Sequence, residues 1–336
     1  MYAMSKKESG VHILGTGGFL PGAPIANAEL IERCGLNTTD EWIRENLGIR
    51  QRHWAPEDHA TSDLAAEAAR GALRQAGLDA SELDHIILCT TSADWPSPAA
   101  ANRVQYLIGA RCPAEDKQNA CAGFLYGLDH GARLVATGAR YVLVIGADVK
   151  SRFTGRTDRS LAPIFADGAG AVVLGAGSQP GGLLCCELWA DGSRWRNMYT
   201  PAGGSARPAS VDTVQEDLHR VHMTVKGREI FEHAVEIMTR LSRQACERAG
   251  VLPREIDCFI PHQANLSIMK DVAANLEIAP ERVVVTIRET ANIVCGTVPF
   301  ALDKTLREQR LVSGNLILMA AAGAGYSGAA AVYRMP

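Results

Sequence analysis

The chain repeats itself. Ala76-Gly77-Leu78 leads into Leu83-Asp84-His85-Ile86-Ile87-Leu88, and Ala249-Gly250-Val251 leads into Ile256-Asp257-Cys258-Phe259-Ile260. Gly77 and Gly250 are 173 residues apart, as are Asp84 and Asp257. Each segment follows an amphipathic stretch, Ser62 to Gln75 and Ile230 to Arg248, and each glycine sits where a helix would end. The apolar run after each is short and continuous and reads as a buried strand. Tyr141-Val142-Leu143-Val144-Ile145-Gly146 has a counterpart in Leu316-Ile317-Leu318-Met319-Ala320, and Gly168 to Val173 in Gly328 to Tyr333. Such a chain is expected to fold as two copies of one α/β unit, residues 1–178 and 179–336, joined near Gly175 to Gly182. Continuous apolar strands alternating with helices imply sheets covered on both faces.

Composition narrows the function. The 336 residues suffice for two such units. Lys+Arg 34 against Asp+Glu 37 gives a net charge of −3, and aromatics are 6%, so neither a basic field nor a stacking platform points to nucleic acid. The longest apolar runs, such as Leu316 to Ala322, are too short to cross a bilayer. Met1 to Gly10 is polar and no apolar segment of signal-peptide length follows it. The nine cysteines are odd in number and lack a C-x-x-C pair, which argues against a disulfide scaffold or a zinc ribbon. No histidine spacing suggests a metal. A reducing cytoplasm is the expected home, with Cys89, Cys112, Cys185, Cys186, Cys246 and Cys258 as small buried hydrophobes.

Cys121 stands apart. It lies in Asn119-Ala120-Cys121-Ala122-Gly123-Phe124, where a helix is expected to begin and run to about Thr137. A thiol at a helix N-terminus feels the positive end of the dipole, which favours thiolate. A step of 173 from Cys121 reaches position 294, beside Asn292, so a pseudo-twofold axis would set these two at matching places. His262 follows the strand Cys258 to Ile260 directly, and ligands in such sheets collect at strand ends. One cysteine, one histidine and one asparagine can thus converge at the seam of the halves. Taken singly, each also reads as an ordinary structural residue. Gly323-Ala324-Gly325-Tyr326-Ser327-Gly328 matches G-x-G-x-x-G but is followed by a strand-like run, so it reads as a turn that brings backbone N–H groups to a site. Trp189 to His222 reads as an insertion or loop over that site. Lys226 and Arg228 suit a phosphate or a solvated face equally.

These residues resemble the β-ketoacyl-acyl-carrier-protein synthase III family of the thiolase superfamily. The markers run along nearly the whole chain: Gly15-Thr16-Gly17 with Leu20-Pro21, Thr39-Asp40-Glu41-Trp42-Ile43, Ala120-Cys121-Ala122-Gly123-Phe124, Asp167-Gly168-Ala169-Gly170-Ala171, and Pro261-His262-Gln263-Ala264-Asn265. The resemblance implies a five-layered α-β-α-β-α fold, a homodimer, and a triad of Cys121, His262 and Asn292. It implies that Cys121 takes an acyl group from a thioester, with the backbone N–H groups of Cys121 and Ala324 holding the oxyanion. His262 and Asn292 would then both donate hydrogen bonds to the oxygen of a malonyl-type thioester as CO₂ leaves, and a β-ketoacyl product forms. By resemblance Trp42 and Arg159 sandwich adenine, while Gly227, Phe231 and Asn265 line a pantetheine tunnel. Substrates would arrive on coenzyme A or on an acyl carrier protein, with no cofactor, metal, nucleic acid or membrane.

The chain departs from the family in four places. Ala291-Asn292-Ile293-Val294 replaces a Gly-Asn-Thr-Ser pattern, and Asn46 and Ser267 stand where arginines are usual. Ser97-Pro98 stands at the place of Phe-Pro, although Trp95 could refill the space. Ser97 would open the end of the acyl pocket to a donor longer or bulkier than acetyl, as in secondary metabolism such as polyketide assembly. Each extra buried CH₂ contributes about 0.8 kcal/mol. Two other readings keep the same fold: an acyltransferase or chain-joining synthase that uses acyl-Cys121 without decarboxylation, and a catalytically silent scaffold subunit.

Overall fold

The computed structural model describes residues 10–308 and 311–336. The polar segment 1–9, the basis for expecting no signal peptide, lies outside them.

The first half runs β1 (Val11–Phe19), α1 (Thr61–Ala76), β2 (His85–Cys89), α2 (Ala100–Ile108), β3 (Ala114–Lys117), α3 (Gly123–Ala136), β4 (Tyr141–Val149) and β5 (Asp167–Ala176). The second runs β6 (Gly182–Ala190), α4 (Gly227–Ala249), β7 (Cys258–Pro261), α5 (Leu266–Asn275), α6 (Thr297–Arg307), β8 (Leu316–Gly323) and β9 (Ser327–Arg334). The first sheet has the order β1-β5-β4-β2-β3 and the second β6-β9-β8-β7. Corresponding neighbours pair in the same sense: β1 with β5 and β6 with β9 antiparallel, β2 with β4 and β7 with β8 parallel. Where β3 sits in the first sheet, the second keeps a single parallel bridge, Phe259 to Val283.

Five layers result. α1 and α2 cover the outer face of the first sheet, and α4 and α5 the outer face of the second. α3 and α6 lie between the sheets and pack on both. The inner apolar core joins Phe124, Leu125 and Leu128 of α3 to Ile260, Met319 and Ala331 of the second sheet. The two outer cores centre on Leu64 with Ile86, and on Leu241 with Leu318. The central strands β4 and β8 are buried on both faces, as their unbroken apolar runs require, whereas the edge strands β3 and β6 are only half-buried.

The repeat is visible in the caps. α1 and α4 both end on a left-handed glycine, Gly77 (φ 68°) and Gly250 (φ 71°). α4 starts at Gly227, three residues earlier than its apolar periodicity suggests. The segment after β6 is more ordered than a loop. It carries a 3₁₀ turn at Gly192–Asn197, a short helix at Val211–Gln215, and a two-residue ladder pairing Met198 with Met223.

The repeat also corrects the expected pairing of Cys121 with Asn292. Ala120 (φ 46°) opens a 3₁₀ turn, Ala120–Ala122, ahead of α3. Val294 (φ 50°) opens the matching turn, Val294–Gly296, ahead of α6. The structural partner of Cys121 is therefore Cys295. Asn292 lies just upstream, where the chain docks on the other half: its N–H donates to Ile164 O at 3.0 Å, and its carbonyl accepts from Ala166 N at 3.0 Å.

Candidate active site

Each 3₁₀ turn pushes against the central strand of the other half. A Cβ on Gly323, at the end of β8, would lie 2.6 Å from the Cys121 amide nitrogen. A Cβ on Gly146, in β4, would lie 2.1 Å from the Cys295 carbonyl oxygen. Only glycine permits both approaches. The first brings the turn after β8, with Ala324, against the backbone of Cys121.

A cavity of about 410 Å³ opens over this point. Cys121, His262, Asn292 and Ala324 line it. Trp42, Arg159, Gly227, Phe231 and Asn265 also line it, together with Met198 and Met223 of the segment after β6. Every residue expected at the triad, oxyanion site and tunnel is thus on one wall or another of a single channel. Ser97 is not: it sits on an exposed stretch beside Trp95, outside this cavity.

The expectation of a resting thiolate does not hold. Burial pushes the Cys121 thiol up to about 12, with Asp148 adding to the rise and the Lys150 ammonium opposing it. A helix N-terminus supplies about 0.3–1 kcal/mol, less than one pKa unit, and does not offset that. At neutral pH the Cys121 side chain is a thiol, which would need a base before it could attack a thioester. Burial also drops the His262 imidazole to about 3, so it is neutral at physiological pH.

Asn292 is oriented by the backbone. Its Oδ1 accepts from Val294 N at 2.8 Å, which leaves its Nδ2 protons to the cavity. His262 is anchored through its backbone, N–H to Ala320 O at 2.7 Å, and through Nδ1, which lies 2.6 Å from Thr297 Oγ1. Its Nε2 is buried and has no partner among the described residues. Gln263 has no cavity role: its Nε2 donates to Pro261 O and Val284 O and its Oε1 accepts from Thr286 N and Ile287 N, which pins the His262 loop. Asn265 caps α5, with Oδ1 accepting from Ser267 N at 2.7 Å and Nδ2 donating to Asn46 O at 3.1 Å. Three of the five non-glycine residues with positive φ among the described residues, Ala120, Ala291 and Val294, flank this site. Such strain gathers where packing over-determines the backbone.

Behind Cys121 lies a polar network that sequence reasoning missed. Asp148, fully buried at the end of β4, accepts from Thr91 N, Thr91 Oγ1 and Ser92 Oγ at 2.8 Å each, and from Cys295 N at 3.0 Å. The Cys295 thiol donates to Ala120 O at 3.1 Å. Lys150, also buried, donates from Nζ to Thr91 Oγ1 at 3.1 Å, and burial lowers its pKa. Its one sequence signal was a lysine set directly after a nine-residue strand.

Two halves with one strand order, stacked through a shared helical layer, define a thiolase-fold protein. A 3-oxoacyl-acyl-carrier-protein synthase III model matches residues 116–192, and a model for the C terminal of the same synthase matches residues 246–335. β-Ketoacyl-acyl-carrier-protein synthase III of Solibacter usitatus is 42% identical over 323 residues, 95% of this chain and 96% of that protein. The crystal structure of 3-oxoacyl-acyl-carrier-protein synthase III from Aquifex aeolicus aligns with a TM-score of 0.88 at 36% identity, over 96% of this chain and 99% of that one. The priming β-ketosynthase of the R1128 polyketide pathway aligns with a TM-score of 0.88 at 30% identity, over 97% and 96%. The chain belongs to the β-ketoacyl-acyl-carrier-protein synthase III family.

Proposed function

We propose that the protein is a decarboxylating condensing enzyme that works through acyl-Cys121. The observation that carries this reading is that Cys121, His262 and Asn292 line one cavity together. In the first half-reaction Cys121 Sγ attacks the carbonyl carbon of an acyl thioester. The thiol proton passes to His262 Nε2 and stays there, and the leaving thiolate takes a proton from solvent and departs as a thiol. The N–H groups of Cys121 and Ala324 face the developing oxyanion. In the second, a malonyl-type thioester loses CO₂, and its enolate oxygen receives a hydrogen bond from Asn292 Nδ2 and one from protonated His262 Nε2. The carbanion forms a C–C bond to the acyl carbon, the C–S bond to Cys121 breaks, and the sulfur takes the proton. One proton is consumed per turn, matching the CO₂ lost from a carboxylate. The chemistry calls for no cofactor or metal, because both thioesters bring their own leaving groups.

The donor is read as longer or bulkier than acetyl. Its support is the residue type at 97; against it, Ser97 lies on the surface of the single chain, away from the channel. Coenzyme A or an acyl carrier protein delivers the thioesters, the chain pairs with a second copy, and the cytoplasm is its place. Among the described residues no helix is long and apolar enough to cross a membrane.

Intact-mass measurement after incubation with acetyl to dodecanoyl thioesters tests the first half. Adduct on Cys121 is expected, fastest with a donor beyond acetyl. Fastest loading by acetyl sinks the donor assignment, and no adduct with any donor revives the silent scaffold. Release of CO₂ from a malonyl thioester by the loaded enzyme separates condensation from a transferase or chain-joining reaction.

A further inference from the structure

Thr297 is the first residue of α6 and is buried. Its hydroxyl touches two groups. Oγ1 lies 3.0 Å from Val294 O and 2.6 Å from His262 Nδ1. A hydroxyl has one proton to give and lone pairs with which to accept. Val294 O can only accept, so a bond there uses the Thr297 proton. The contact with His262 is then Nδ1–H donating to Oγ1. In this arrangement one hydroxyl makes two hydrogen bonds. If instead Oγ1–H turned to a bare Nδ1, the bond to Val294 O would be lost and nothing would replace it. Among the described residues nothing else within hydrogen-bond reach competes for Nδ1, and Nε2 is buried without a partner on a side chain that lines the channel.

We propose that Thr297 is a positioning residue that holds resting His262 in the Nδ1–H tautomer, with the bare Nε2 lone pair turned into the channel as the acceptor for the Cys121 proton. This adds a first step to the expectation that His262 donates to the malonyl-type thioester, and it rests on the reading of Cys121 as nucleophile. Nε2 becomes a donor only after it has taken a proton. The imidazolium then needs no rearrangement, because Thr297 Oγ1 already accepts from Nδ1–H. One contact thus serves both half-reactions: it presents a base for acylation and steadies a cation for decarboxylation.

The test begins with the tautomer, which does not depend on activity. In full-length protein labelled with ¹⁵N-histidine, the His262 resonances are assigned by their loss in His262→Gln. Wild type is expected to show Nδ1 protonated and Nε2 bare at neutral pH. A proton resident on Nε2 overturns the proposal outright. Thr297→Val removes the acceptor but leaves the residue 297 N–H on Val294 O. It is expected to shift the tautomer and slow Cys121 acylation by about tenfold, the scale of one lost hydrogen bond. Thr297→Ser should restore both. A Thr297→Val protein with unchanged tautomer and unchanged acylation refutes the role. If Thr297→Val fails to fold, the wild-type and Thr297→Ser spectra still decide. Separately, an acylation rate untouched in His262→Gln defeats the base reading of His262 but leaves the tautomer result standing.

Discussion

The Arg159 guanidinium lies 5.3 Å from the centre of the Trp42 ring, and both side chains line the cavity that Cys121 lines. Two stacking contacts of about 3.5–4 Å each need about 7 Å, so no base fits between the two side chains as they stand. The adenine sandwich implied by family resemblance is closed in this structure, and a cation–π contact fills it. On the proposed reading, a coenzyme A thioester that stacks on Trp42 has to swing Arg159 outward.

Trp42→Ala should therefore raise KM about tenfold or more for coenzyme A thioesters, since stacking a base on an aromatic ring contributes about 1–3 kcal/mol. Thioesters of pantetheine alone, which lack the base, should show no change. Steady-state kinetics with both carriers check this, and equal losses for the two carriers refute a base-stacking role.

Cys121 should titrate as a buried thiol. With its pKa pushed up to about 12, the thiolate fraction rises with pH throughout the neutral range. Alkylation of Cys121 by iodoacetamide, followed by peptide mass, should accelerate steadily from pH 7 to pH 10, while fully buried Cys89 stays unmodified. A rate that levels off below pH 8 means a preformed thiolate and overturns the assignment of a neutral resting thiol.

Gly323→Ala should damage the site without touching a polar group. The added Cβ meets backbone at Cys121, which cannot move aside as a flexible side chain can. The expected result is a stability loss of about 1–3 kcal/mol with acylation slowed by about a hundredfold, from overpacking and a displaced nucleophile. Gly192→Ala, where a Cβ meets open space, serves as the control and should leave both unchanged. Urea unfolding and acyl loading by mass measure the two effects.

His262 should make the fold acid-sensitive. Its imidazole titrates near 3 when folded and near 6.5 when unfolded. Above the unfolded value both states are neutral and the group contributes nothing. As pH falls from about 6.5 toward 3, only the unfolded chain takes the proton, so stability drops. His262→Gln should flatten that part of the curve. Urea midpoints between pH 7 and pH 4 for the two proteins decide it, and parallel curves show that the imidazole is not buried in neutral form.

How much of the molecule was legible beforehand depends on whether the signal is local. The helix-ending glycines, the continuous strands and the motifs around Cys121 and His262 are carried by neighbours in the chain, and each lies where the sequence places it. The pairing of Cys121 with Cys295 was missed because sequence offset drifts by a residue or more between halves, whereas backbone conformation at Ala120 and Val294 does not. Lys150 and Asp148 were missed because each looks like the polar end of a strand until the fold buries it.

The sequence alone determined that two α/β units stack and that a cysteine and a histidine stand at their turns, because apolar period and helix caps are properties of short segments. Only the tertiary structure decided the state of the reactive groups. Burial turns an expected thiolate into a thiol. A hydroxyl 35 residues away in the chain faces the imidazole at 2.6 Å. These depend on which atoms are neighbours in space, and no spacing along the chain records that.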